Sequence, residues 1–168
     1  MWLQSVPRSF VGMLKHTLSI AAVALLAPAP ALAAEKTETL RFFSQTTALT
    51  VTHADGTVVD KPPFPEPVAG DVLDVFALDF AGNHRRHEAR PSASEHVRCT
   101  FSTAPEPDCW THVAIGGSLL VLHGREVVAG TNRFAGATGR VLSSKEVEGG
   151  TDVVVRVTRA RSRSLRTG

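Results

Sequence analysis

Two carboxylic acids stand in runs of alternating apolar residues, where a carboxyl group can take part in proton transfer. Asp74 and Glu95 each share a period-two face with apolar residues: Phe76, Leu78 and Phe80 in one run, Val97, Cys99 and Phe101 in the other. A carboxyl group on an apolar face has a raised pKa and can act as a general acid or base. The alternative is that each carboxylate reaches water near a strand end, or pairs with Arg98 or Arg140. Asp74 and Glu95 are therefore the candidate catalytic residues.

Other kinds of site find little support in the sequence. The run "HRRHE", from His84 to Glu88, and the more distant His96, His112 and His123 do not have the spacing of a helical zinc motif. No Gly-x-Ser-x-Gly nucleophile motif is present, and the glycine-rich run near residue 130 lacks the lysine of a phosphate-binding loop. The sequence predicts neither a metal nor a cofactor.

The elements that must position these residues are strands. Period-two runs of β-branched and aromatic residues recur along the chain: 39–52, 71–80, 95–101, 109–115, 118–124, 139–147 and 151–159. An Asp-Gly hairpin turn follows the first run, and the polar residues 81–94 are expected to form a long exposed loop. Six to eight strands with short turns and no helix favour a small antiparallel sandwich or barrel. A barrel is preferred because closure removes the strand edges.

Cys99 and Cys109 are the two cysteines of the chain. In an exported protein such an even pair predicts a disulfide, here one that staples the hairpin between two strands. On the loop-entropy model a loop of this length contributes roughly 2–3 kcal/mol to stability.

The stretch "GTNRFAGATGRV" crowds glycine and alanine around one phenylalanine. It resembles the "GGTGxFxGAxG" signature of allene oxide cyclases and dirigent proteins, with matches at Gly130, Thr131, Phe134, Gly136, Ala137 and Gly139. Asn132 stands where that signature has glycine, and Asn tolerates left-handed backbone well. The resemblance implies an eight-stranded antiparallel barrel, in which the run makes a tight connection and Phe134 plugs one end.

The resemblance also implies a function. Proteins of this type hold a hydrophobic small molecule in the barrel and steer a cyclisation or a radical coupling, and as enzymes they are cofactor-free isomerases or cyclases. Phe76, Phe101 and Trp110 are then expected either to contact a ligand in the lumen or to fill it. No acid lies between Glu38 and Asp55, so the first strand lacks the carboxylate of the plant cyclases and their reaction is not expected. The alternatives are a ligand-binding barrel without catalysis and a structural barrel filled by side chains.

The two ends of the chain are expected to lie outside the barrel domain, residues 34–158. Residues 1–33 read as a signal peptide, with a basic start, a short apolar core and small residues before the cut, so the protein is expected to be secreted without a retained membrane anchor. Residues 159–168 form a basic tail that is expected to be disordered. Without the signal, 16 basic and 16 acidic residues balance, which argues against nucleic-acid binding. Related barrels assemble as dimers or trimers, so the resemblance allows a homo-oligomer.

Overall fold

The computed structural model describes residues 35–160, which form ten strands and one short 3₁₀ turn. The strands are β1 (Glu35–Thr52), β2 (Val58–Val59), β3 (Val72–Asn83), β4 (Arg86–His87), β5 (Ala93–Thr100), β6 (Asp108–Ile115), β7 (Ser118–His123), β8 (Glu126–Gly130), β9 (Thr138–Val147) and β10 (Gly150–Ala160). The 3₁₀ turn spans Asn132–Phe134, between β8 and β9. The described part of the chain contains no helix long and apolar enough to cross a bilayer.

Eight of these strands close into an antiparallel barrel. Their order around the barrel is β1, β10, β9, β8, β7, β6, β5 and β3, and β3 pairs again with β1. At the seam Phe43 faces Asp152 of β10 on one side and Phe80 of β3 on the other. The two short strands are not among the eight: β2 pairs with the end of β1, and β4 pairs with the end of β3. The predicted all-β, eight-stranded barrel is therefore confirmed.

Inside the barrel lies one apolar core. Its buried members come from the barrel strands other than β3 and β9 and from the β8–β9 connection: Phe42, Ala93, Val113, Ile115, Leu120, Leu122, Val127, Phe134, Ala137, Val155 and Val157. Because strand side chains alternate between faces, the residues between these members point outward. The alternation fixes which side chains of each strand reach the lumen.

The glycine-rich connection between β8 and β9 closes one end of this core. Phe134 ends the 3₁₀ turn and is 0 % exposed. A Cβ at Gly130 would overlap the backbone of Phe134, and one at Gly139 would overlap the carbonyl oxygen of Arg156. Asn132 has φ 51° and donates its side-chain amide to the Gly117 carbonyl at 2.7 Å. The glycines thus allow a close backbone approach around the buried ring, and the left-handed Asn132 is as predicted.

The disulfide is confirmed: Cys99 of β5 and Cys109 of β6 are bonded and face each other directly in the strand register. The long-loop prediction for residues 81–94 is wrong. Gly82 pairs with His87 to make a short hairpin, and β5 begins at Ala93. The polar composition hid this hairpin because its paired residues Asn83, Arg86 and His87 are exposed.

The expected signal peptide, residues 1–33, lies outside the described residues, as does the tail from residue 161 onward. Residues 159 and 160, assigned to the tail from the sequence, belong to β10.

Candidate functional site

The barrel encloses a cavity of about 250 Å³. Most of its lining is apolar and comes from β1, β6, β7, β9 and β10: Phe42, Val113, Leu120, Leu122, Val141, Val153 and Val155. The exposed residues Gly124 and Arg125, in the turn between β7 and β8, also line it, so the cavity reaches the surface at that end. The polar part of the lining comes from Asp79, Glu95, Thr111 and Ser144.

Asp79 and Glu95 are brought together by the register of β3 against β5. Asp79 pairs with Ala93 and Ala77 pairs with Glu95, so the two acids are diagonal neighbours on the inner face, within reach of each other's side chains. Asp79 is 1 % exposed and Glu95 is part-buried. Two carboxyl groups on adjacent strands therefore share one apolar cavity.

Ser44 of β1 completes this polar corner. It lies directly opposite Asp79 in the register of β1 and β3, and its Oγ donates to Oε2 of Glu95 at 3.3 Å. Oδ1 of Asp79 is buried and has no hydrogen-bond partner among residues 35–160. The described chain thus supplies only part of the hydrogen bonds that these polar groups can form, which is unusual for a buried charged group.

The environment raises the pKa of both acids. Burial is the largest cause for Glu95, and the negative charge of Asp79 adds to it, so the pKa of Glu95 rises to about 7. Burial also raises the pKa of Asp79, against the lowering effect of hydrogen bonds from Ser44 and Glu95. As the pH falls through about 7, Glu95 takes up a proton, and its neutral carboxyl group can then donate a hydrogen bond as well as accept one.

Of the two candidate acids from the sequence, the structure brings Glu95 into the cavity and leaves Asp74 outside. Asp79, not Asp74, occupies the inner face of β3, so the inward placement of Asp74 and Phe76 is wrong. Asp74 accepts from Nε2 of His96 at 2.8 Å and lies 3.5 Å from a guanidinium nitrogen of Arg98. Phe76 is 44 % exposed and stacks on His96, with ring centroids 4.4 Å apart.

The other predicted ligand contacts also lie away from the cavity. Trp110 is 41 % exposed on the outer face of β6 and stacks on His123, 4.5 Å between centroids. Phe101 follows the end of β5, where its backbone bonds to Gly70 and Asp71, and it is not part of the cavity lining. The inward position expected for Trp110 is therefore wrong, and Phe101, half-buried just beyond the end of β5, does not line the cavity.

Sequence reasoning missed Asp79 and Ser44. Asp79 belongs to the second period-two face of β3, which also carries Leu73, Val75 and Ala77 and is as apolar as the face that carries Asp74. The small side chain of Ala77 is the sequence feature that favours this face as the inner one, because a barrel with a cavity needs small residues on the inside. Within residues 35–160, no group of three or more His, Cys, Asp or Glu side chains is placed to hold a metal ion.

No family model matches this sequence, and no curated protein does. Among solved structures, the chain is similar to the pterocarpan synthase dirigent protein GePTS1, with 17 % sequence identity and a TM-score of 0.43. That similarity covers 76 % of this chain and 92 % of the dirigent chain.

Proposed function

We propose that this barrel holds a small hydrophobic molecule in its lumen and steers a cyclisation or coupling of that molecule without a cofactor. The observation that carries the proposal is an apolar cavity with two neighbouring carboxyl groups, those of Asp79 and Glu95, in its wall. The resemblance of the glycine-rich run to cyclase and dirigent barrels points the same way.

The carboxyl pair supports a chemical role as well as binding. A general acid or base works best when its pKa lies near the operating pH, and the pKa of Glu95 is raised to about 7. The neutral acid can donate a proton to an oxygen of the bound molecule while the Asp79 carboxylate accepts one. The narrow apolar walls restrict the ligand to few conformers, which lowers the entropic cost of ring closure.

Binding without catalysis is the second candidate, since the same cavity would serve a carrier. A structural barrel filled by side chains is disfavoured by the volume of about 250 Å³. We also propose that the protein acts outside the cytoplasm. The Cys99–Cys109 disulfide supports this, because such bonds persist in oxidising compartments.

The test is native mass spectrometry of the purified protein, followed by titration with a hydrophobic fluorescent dye. We expect a co-purifying species of a few hundred daltons that is lost on denaturation, or saturable dye binding. A lumen-filling variant, Val153→Phe, should weaken dye binding about tenfold or more, equivalent to about 1.4 kcal/mol. Its matched control is Val154→Phe, because Val154 is the next residue of β10 and points away from the cavity.

Circular dichroism and a melting curve establish that both variants are folded, since overpacking a barrel costs about 1–3 kcal/mol. Equal dye binding by both variants would contradict the proposal, as would a protein that binds neither dye nor any co-purifying molecule. Once a ligand is known, turnover separates the enzyme from the carrier.

A further inference from the structure

We propose that the lumen selects a cationic ligand: a small apolar amine whose ammonium group binds the carboxyl pair of Asp79 and Glu95. This inference rests on the proposed function, because it names the class of molecule that the same cavity would hold.

The first argument is the missing counter-charge. Asp79 is fully buried, and its Oδ1 has no hydrogen-bond partner among residues 35–160. The hydrogen bonds of the pair come from Ser44, whose hydroxyl donates to Glu95, and from the contact of the two acids with each other, and neither source carries a positive charge. None of the ion pairs formed within the described strands and loops includes either acid. By contrast, Asp71, also fully buried, accepts hydrogen bonds from His53 and from two backbone amides.

The second argument is the chemistry that such a corner favours. A carboxylate removed from water is strongly destabilised unless a cation or several donors compensate it. An ammonium group supplies both, with three N–H donors and a full positive charge, and its hydrogen bonds to a carboxylate are among the stronger ones in proteins. A hydroxyl group supplies one donor and no charge. A ligand carboxylate would meet like charge.

The third argument is the shape of the rest of the cavity. The walls from β7, β9 and β10 are apolar, so the body of the ligand must be apolar too. At about 250 Å³ the space is at the small end of ligand pockets and fits one ring with a short chain. The charged groups that line it are Asp79 on β3, Glu95 on β5 and Arg125 in the β7–β8 turn. Arg125 is exposed at the mouth and donates to the Val141 carbonyl at 3.1 Å, so water and salt screen it from the buried end.

The charge of the pair also predicts a pH dependence. Since burial and Asp79 raise the pKa of Glu95 to about 7, the pair gains negative charge as the pH rises through neutrality. An aliphatic amine stays protonated over that range. Amine affinity should therefore increase from pH 5.5 to pH 8, whereas affinity for a neutral analogue should not.

The experiment compares three molecules of matched shape with the full-length protein, by isothermal titration calorimetry: 2-phenylethylamine, 2-phenylethanol and phenylacetate. At pH 8 we expect the amine to bind at least about tenfold more tightly than the alcohol, and phenylacetate to bind most weakly. Asp79→Asn should abolish the preference for the amine. Asp74→Asn is the matched control on the same strand; Asp74 lies on the outer face, so this variant should keep the preference.

A second measurement does not depend on any variant being folded. At pH 7, binding of the amine to the wild-type protein should release a fraction of a proton from Glu95, seen as a dependence of the binding enthalpy on the buffer. The alcohol should release none. If amine and alcohol bind equally, or if Asp74→Asn and not Asp79→Asn removes the preference, the inference is overturned while the binding lumen stands. If none of the three molecules binds and the hydrophobic dye also fails, the proposed function itself is wrong.

Discussion

Asp79 is a residue whose burial opposes the stability of this barrel. Its carboxyl group is fully buried and faces an apolar cavity, where the charged residue beside it, among residues 35–160, is another acid. A buried polar group without a partner costs about 1–3 kcal/mol, and more when it is charged. Natural proteins keep such groups where an activity requires them. We interpret the loss of stability caused by burying Asp79 as a sign that this residue belongs to a functional site.

Replacing Asp79 with Asn should therefore stabilise the protein. At pH 8 we expect the free energy of unfolding to rise by about 1–3 kcal/mol, because the variant removes one buried charge and the repulsion of Glu95. Urea unfolding followed by circular dichroism measures the change. Asp74→Asn serves as the control and should leave stability unchanged or lower it, since Asp74 is paired with His96 and Arg98. A destabilised Asp79→Asn variant would show that the hydrogen bonds of Asp79 with Ser44 and Glu95 outweigh the cost of its buried charge.

The sequence identified Glu95 but not Asp79, and the reason lies in the two faces of β3. Asp74, Phe76 and Leu78 alternate with Val75, Ala77 and Asp79, and both sets combine apolar residues with one acid. Alternation separates the two faces of a strand, but it does not say which one turns inward when both are partly apolar. Only the register against β1 and β5 decides that, and register depends on long-range pairing.

At the scale of elements, the connection between β8 and β9 is where local sequence was most informative. Glycine and asparagine at special backbone angles can be recognised without knowing the partner strands, since few residues tolerate such geometry. Asn132, Gly130 and Gly139 have the roles that their residue types indicate. The β3–β4 hairpin was missed for the opposite reason: two paired residues in a polar loop leave no periodic signal.

Two glycines of this connection should respond differently to substitution by alanine. At Gly139 the new Cβ would overlap the Arg156 carbonyl of β10, so we expect the free energy of unfolding to fall by about 3 kcal/mol or more, or the variant not to fold. At Gly136, with φ 66°, nothing lies within reach of the added Cβ, and only the backbone strain of about 1–2 kcal/mol remains. Thermal melts of both variants test the order. Equal melting temperatures would contradict the close approach of β9 and β10.

For the whole molecule, pH should shift stability in two directions. The pKa values of Asp71 and Asp152 are lowered, Asp71 mainly by the backbone amide of Val68 and Asp152 mainly by His84 once burial is overcome. Their contribution is present above about pH 4 and is lost as the pH falls below it. Glu95 acts oppositely: because its pKa is raised from 4.5 to about 7, stability declines as the pH rises between those values.

We therefore expect the free energy of unfolding to be greatest near pH 4–5 and to fall by up to about 3 kcal/mol towards pH 8. Urea unfolding at half-unit pH intervals measures the profile. Glu95→Gln should flatten the decline above pH 5 and leave the loss below pH 4 in place. A profile that rises steadily from pH 5 to pH 8 would show that Glu95 is not held in its neutral form.

The barrel class could be predicted from the whole sequence because strand periodicity, short turns and the glycine-rich run agree with one another. Its closure could not be located in the same way. The barrel closes because β1 pairs with both β3 and β10. One of these partners follows β1 closely along the chain and the other lies at the far end of the described residues, so local sequence does not indicate the pairing.

That seam also sets an order of events in synthesis. Glu35 pairs with Ala160, so β1 cannot be bonded along both edges until the last strand has left the ribosome. Until then the edges of β1 and β9 are unpaired, and the apolar wall formed by Leu120 and Leu122 faces water. Such long-range closure is slow and leaves the incomplete chain prone to aggregation. The cavity is consequently the last part of the barrel to form, because it is complete only when the first and last strands of the described chain meet.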